Sequence, residues 1–122
     1  YRESVPVMRH LKDFERVNTD KPAFCVFVAP RVHNDTVNYF WYSVKYGFEG
    51  KKQSIVALDL AHFVEILEFF INTIEQKNNF THRNLKTLFE LITSNAAGKE
   101  SSTSWFADVS QIIKDWQQSI AP

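Results

Sequence analysis

Glu3 and His10 are the two residues whose types and spacing are best suited to chemistry. A carboxylate can hold a divalent cation or a water, and an imidazole can donate, accept or ligate near neutral pH. Residues seven apart on an α-helix fall within about 20° of each other, because two turns take 7.2 residues. Val7, Phe14 and Val17 lie near the same line. The stripe is therefore mainly apolar and is predicted to face the core, where each polar member needs a partner. An unpaired buried polar group costs roughly 1–3 kcal/mol. Pro6 fits only in the first turn, which puts the cap near Ser4 or Val5 and leaves Glu3 at or just before the helix start. The same residues also read as a plain helix start, with Glu3 near the positive end of the dipole and the histidine satisfied by a backbone carbonyl. Pattern alone leaves both readings open.

Beside that stripe, Arg9, Lys12 and Arg16 recur three or four residues apart. They are candidates for DNA-phosphate contacts, or else an ordinary solvated surface. Asp13, Glu15 and Asp20 read as a solvated face rather than a metal cluster. His33, His62 and His82 fall in a loop or near helix starts, with no partner at ligand spacing. The three glycines are isolated, so there is no phosphate-cradling loop, and neither a nucleophile elbow nor a metalloprotease helix occurs. A single cysteine, Cys25, excludes an intrachain disulfide and a cysteine-held zinc. It lies in an apolar run and reads as a buried, inert thiol.

Lys+Arg and Asp+Glu both number 14, so no basic field covers the chain as it would in a non-specific DNA binder. That balance does not exclude nuclease chemistry, whose metal site must itself be acidic. With 122 residues, 44% apolar and 23% charged, the chain can build a proper core. Eleven Phe and three Trp predict a core made largely of rings. No apolar run approaches the length of a membrane span.

The periodicities predict the elements that must position these side chains. A helix runs over 5–18, ended by Asn18-Thr19-Asp20-Lys21-Pro22. Ala23 to Ala29 is a continuous apolar run between prolines, predicting a buried and parallel strand. Asn34 or Asp35 caps a helix to about Tyr46, stopped by Gly47, and 49–53 is a polar turn. Ser54–Leu58 is a second strand, and Asp59 caps a helix over 60–77. That helix has Leu60, Phe63, Val64, Leu67, Phe70, Ile71 and Ile74 at the 3–4 spacing of a core face, with Ile66 and Phe69 widening the apolar arc. Thr81 caps a further helix ending near Gly98. Ser102 or Thr103 opens a last one carrying Trp105, Phe106, Val109, Ile112, Ile113 and Trp116, an aromatic stripe that reads as a core face by default.

Four ordered segments resemble the cleavage domain of the AlwI-type restriction and nicking endonucleases. They are Glu3-Ser4-Val5-Pro6-Val7-Met8-Arg9-His10-Leu11, Phe24-Cys25-Val26-Phe27-Val28-Ala29-Pro30, His33-Asn34-Asp35-Thr36-Val37-Asn38-Tyr39-Phe40-Trp41, and Ile55-Val56-Ala57-Leu58 leading into Phe63. The similarity runs over about residues 1–71. It implies the α/β restriction-endonuclease-like fold, related to the FokI cleavage module, with Mg2+ used to hydrolyse a phosphodiester of double-stranded DNA. By position, Glu3 matches a site carboxylate that helps hold the metal or its water. His10 matches a histidine lining the same site, at the family's spacing of seven, and Arg9 matches an arginine without an assigned role. The family's other metal-binding acidic residues lie on a hairpin before the glutamate. Magnesium needs several oxygen ligands held rigidly, which Glu3 and His10 do not supply alone. The chain by itself is therefore expected to be inactive, as the C-terminal fragment of a longer type IIS-like enzyme.

On this basis residues 1–78 are expected to be the distal, helix-strand-helix-strand part of a nuclease core, with 79–122 a helical extension packed on it. A bacterial cytoplasmic location follows from the resemblance. So does pairing into a homodimer or heterodimer, for which helix 101–120 is the expected contact surface. Two other classes compete: a non-catalytic helical interaction module presenting exposed Trp and Phe, and a structural remnant without activity.

Overall fold

The computed structural model describes residues 3–120. Its elements follow in the order α1 (Ser4–Val17), β1 (Cys25–Ala29), α2 (Asn34–Lys45), β2 (Ile55–Asp59), α3 (Leu60–Ile74), α4 (His82–Asn95), α5 (Ser102–Ala107) and α6 (Val109–Ile120). A 3-10 turn at Ala96–Gly98 separates α4 from α5. The fold is mixed α/β and mostly helical. The predicted parallel pairing is present, with β1 alongside β2 in a register that sets Cys25 opposite Ile55 and Ala29 opposite Asp59. A parallel pair needs a crossover, and α2 provides it.

Alternate residues of a strand point to opposite faces. Phe27 meets Phe40 of α2, 5.2 Å between ring centroids, while Phe24 meets Phe89 of α4 at 6.1 Å. The sheet is thus covered by α2 on one side and the later helices on the other. β2 is the buried strand, with Ile55, Val56, Ala57 and Leu58 almost free of solvent. β1 departs from the expectation of a fully buried strand: all five residues are half-buried. The cause is helix cover: α2, α3 and α4 all pack on β2, whereas among the described residues β1 packs mainly against α3.

Several caps also differ from those expected. His33, rather than Asn34 or Asp35, caps α2, its Nδ1 accepting from the Asp35 N–H at 3.1 Å. Asp59 occupies the N-cap position of α3, but its carboxylate accepts the Val32 N–H at 2.7 Å and so ties the loop after β1 to the end of β2. Gly47 terminates α2 as expected. It sits at φ +119°, and a Cβ there would meet Lys51 backbone atoms at 3.1–3.2 Å, so only glycine fits without strain. Thr81 and Asn84 form a reciprocal capping box at α4.

The last predicted helix is broken at Asp108 into α5 and α6, and its cap is Ser101. Asp108 accepts from Asn95 Nδ2 at 3.0 Å and pairs with Lys99, and these bonds hold its carboxyl below the usual carboxylate range. Trp105, Val109, Ile113 and Trp116 point into the core, continuous with Phe40 and the sheet. Both indoles are satisfied by helix carbonyls, Trp105 Nε1 by Ile92 O at 2.8 Å and Trp116 Nε1 by Asn84 O at 2.9 Å. The reading of these stripes as core faces is borne out, and Trp105 and Trp116 are not exposed contact residues. An apolar face of a short helix is worth more against the core than in water.

Candidate functional site

The first helix sets the geometry. Its buried side is Ser4, Met8 and Leu11, not the line of Glu3 and His10, on which Val7 alone is partly buried against the core. Glu3 and His10 are exposed, as are Phe14 at 55% and Val17 at 80%. The predicted burial of that stripe is corrected here, and the cause lies outside the helix. Two apolar lines run along α1, and contacts with the 48–53 segment select the one that turns inward.

Those contacts are dense. Arg9 forks onto both carboxylate oxygens of Glu49, with Nη1 to Oε1 at 2.7 Å, and its guanidinium lies 5.2 Å from the Phe48 ring centroid. Lys12 donates to the Glu49 carbonyl at 2.9 Å, and Lys51 pairs with Glu15 at 3.5 Å. Beneath them Gln53, only 3% exposed, donates its amide to the Met8 carbonyl at 2.8 Å. Glu49 adopts φ 49°, unusual for a residue with a side chain, so that its carboxylate turns back toward the helix. Sequence reasoning missed Glu49 and Gln53, because both sit in a stretch that reads as a solvated turn.

Arg9 hydrogen-bonds the Glu49 carboxyl and holds it below the ordinary carboxylate range, with further help from the charges of Arg9 and Lys12. The folded value lies below the unfolded one, so unfolding takes up a proton in acid. The contribution is full above about pH 4.3 and is lost as pH falls through the lowered folded value. Glu49→Gln is therefore expected to lower the melting temperature at pH 7, and the gap from wild type should close as pH falls through the lowered value of the Glu49 carboxyl. Melting curves followed by tryptophan fluorescence across pH check this.

The candidate phosphate contacts are accounted for differently. Arg9 and Lys12 are engaged with Glu49, and Arg16 pairs with Asp13 at 3.3 Å on the surface. At 100° per residue their mean direction lies roughly 140° round the helix from the Glu3–His10 line. The structure thus brings Glu3 and His10 onto one open face and puts the three cations on another. A groove of about 570 Å3 between α1, α2 and the 47–49 turn, lined by Val5, Met8, Tyr39, Tyr42 and Phe48, also lies away from that line.

Among the described residues no group of three or more His, Cys, Asp or Glu is arranged to hold a metal ion. Glu3 offers one carboxylate and His10 one imidazole, which is too small a donor set for a hard divalent cation with six oxygen positions. His62 packs edge-on against Phe106 at 6.4 Å. Cys25 is half-buried rather than buried, and its partial burial pushes the thiol up.

These features define a mixed α/β domain whose first helix, packed on α2, carries an exposed carboxylate at its N-cap and an exposed imidazole two turns further on. A family model of the AlwI restriction endonuclease matches residues 1–66, more than half of the 122. The chain belongs to that family, and the domain is that of a restriction endonuclease, a nuclease whose substrate is DNA. The match covers α1 to the middle of α3 and includes both Glu3 and His10. Comparison with curated proteins gives no match. No described helix is long and apolar enough to cross a membrane.

Proposed function

We propose that this chain is the distal part of a type IIS-like enzyme that cuts or nicks double-stranded DNA in the bacterial cytoplasm by Mg2+-dependent phosphodiester hydrolysis. Glu3 helps hold the metal or its water, and His10 lines the same site. The remaining metal ligands come from a hairpin preceding Glu3 in the complete enzyme. Residues 1–78 are then the nuclease part and 79–122 the helical extension packed on it. The observation that carries this reading is the family match over a segment in which Glu3 and His10 share one exposed face of α1. Two further observations support it. β1 is an apolar strand with an unpaired edge, a form that proteins normally cover or pair. Phe14 and Val17 extend the Glu3–His10 line as exposed apolar residues, which an upstream segment would bury.

The donor set present does not make a magnesium site, so the chain alone is expected to leave supercoiled plasmid intact in the presence of Mg2+. A protein extended upstream through the hairpin is expected to nick or linearise it. Cleavage by the chain alone at a rate matching the extended protein would show that the site is complete without the hairpin. No cleavage by the extended protein, with its fold intact, would count against the nuclease assignment itself. The rival interaction module has lost its main support, since the aromatic side chains it relied on are core.

A further inference from the structure

The groove between α1 and α2 is walled by rings. Tyr39 and Tyr42 come from α2, Phe48 from the turn, and Val5 and Met8 from α1. The two tyrosines are 40% and 57% exposed, and the Tyr42 ring is steadied by Tyr46, 4.9 Å between centroids. At about 570 Å3 the groove has the size of a small-ligand site. Among the described residues that line it, Glu49 alone is charged.

Glu49 marks an anion site at the groove's end. Arg9 and Lys12 lie four residues beyond Val5 and Met8, so they continue the same side of α1. The Arg9 guanidinium takes both carboxylate oxygens of Glu49, and Lys12 Nζ lies 3.7 Å from one of them. A forked guanidinium beside a lysine is equally the donor set that takes a phosphate. Two cations here face one carboxylate. The turn itself does not call for a glutamate. Glu49 and Gly50 close the Phe48–Lys51 bridge with φ of 49° and 89°, a two-residue type I′ turn that favours Asn or Gly at its first position.

We propose that this groove takes an unstacked base of a DNA strand. The base lies against Tyr39 and Tyr42, and its phosphate displaces Glu49 from Arg9 and Lys12. Aromatic side chains stack any base, whatever the sequence. A base inside a duplex is covered by its neighbours, so the strand has to be single or locally opened. The site is on the side of α1 away from Glu3 and His10, roughly one helix width of about 10 Å from them. The inference rests on DNA being the substrate, and not on a metal held by Glu3.

Fluorescence anisotropy of a labelled oligothymidylate of about eight nucleotides, titrated with the 122-residue chain in the absence of metal, tests it. The expected result is weak binding that Tyr42→Ala reduces at least fivefold and Tyr42→Phe preserves. Glu49→Asn suits the turn and removes the competing carboxylate. It is expected to tighten binding about threefold, the strength of one exposed ion pair. Circular dichroism should show all three variants folded at the assay temperature. No binding by wild type or by Glu49→Asn overturns the inference. So does binding indifferent to Tyr42→Ala, binding lost equally in Tyr42→Phe, or binding not tightened by Glu49→Asn. A duplex of the same length that binds as tightly overturns the unstacked base. Thymidine monophosphate that competes as well as the oligonucleotide overturns the strand as occupant. Neither metal nor cleavage enters the measurement, so its failure would leave the nuclease assignment to the plasmid test.

Discussion

Trp105→Ala is expected to destabilise the domain by about 3–5 kcal/mol and to lower its thermal midpoint by roughly 10–25 °C. Trp105 is 1% exposed and lies where α5 crosses α2, at the centre of the core that joins the late helices to the sheet. Its indole N–H binds the carbonyl of Ile92 at 2.8 Å. That carbonyl is among the last four of α4, which have no donor within the helix. The substitution therefore empties the largest fully buried side-chain volume and removes a donor from a buried acceptor. Single domains are stable by only about 5–15 kcal/mol, so most of the margin is consumed. Leu91→Ala, at a 46% exposed position of α4, should change stability by no more than about 0.5 kcal/mol. Urea denaturation of the two variants beside wild type checks the contrast.

Glu3→Ala and His10→Ala are expected to reduce DNA cleavage by the hairpin-bearing enzyme at least tenfold, about 1.4 kcal/mol of lost transition-state stabilisation. Neither substitution should change the melting temperature by more than a degree or two, because both side chains are exposed. That separation makes the pair informative. Were Glu3 and His10 buried in the core, as the periodicity predicts, loss of activity and loss of fold would be hard to tell apart. Glu49→Gln is a useful comparison. It loosens the contact that sets the rotation of α1 without touching its open face, so its effect should fall on stability first. Cleavage rates and melts of the three variants under the same conditions check this.

The order of elements and the parallel pairing are legible in the sequence because each depends on local chemistry. Pro22 and Pro30 bracket β1, Gly47 ends α2 in a backbone conformation that suits glycine, and Thr81 opens α4. What is not legible depends on which of two apolar faces turns inward. On α1 the line of Val7, Phe14 and Val17 is as apolar as that of Met8 and Leu11. The choice is made by Glu49 and Gln53, forty or more residues away. On α3 the regular seam of Leu60, Val64, Leu67, Ile71 and Ile74 is the exposed side, while the less regular Ile66 and Thr73 are buried. Hydrophobic periodicity locates a face but does not say what it packs against. In α5 and α6 the aromatic stripe reads as a core face by default, and the structure makes it one.

The candidate site is legible in a narrower sense. The spacing of Glu3 and His10 is a property of the helix, and the helix is present, so the two share a face. Whether that face holds metal depends on donors that the described residues do not supply. Arg9 and Lys12 match a phosphate-contact pattern in one dimension. In three dimensions their charges are directed to Glu49.

Calorimetric titration of Mn2+ or Mg2+ into the enzyme extended through the upstream hairpin, beside its Glu3→Ala variant, tests the central assignment most directly. The account expects the variant to bind the metal at least tenfold more weakly (about 1.4 kcal/mol) with an unchanged melt. Equal affinity in the two proteins would contradict it and return Glu3 to the role of an ordinary residue at a helix start.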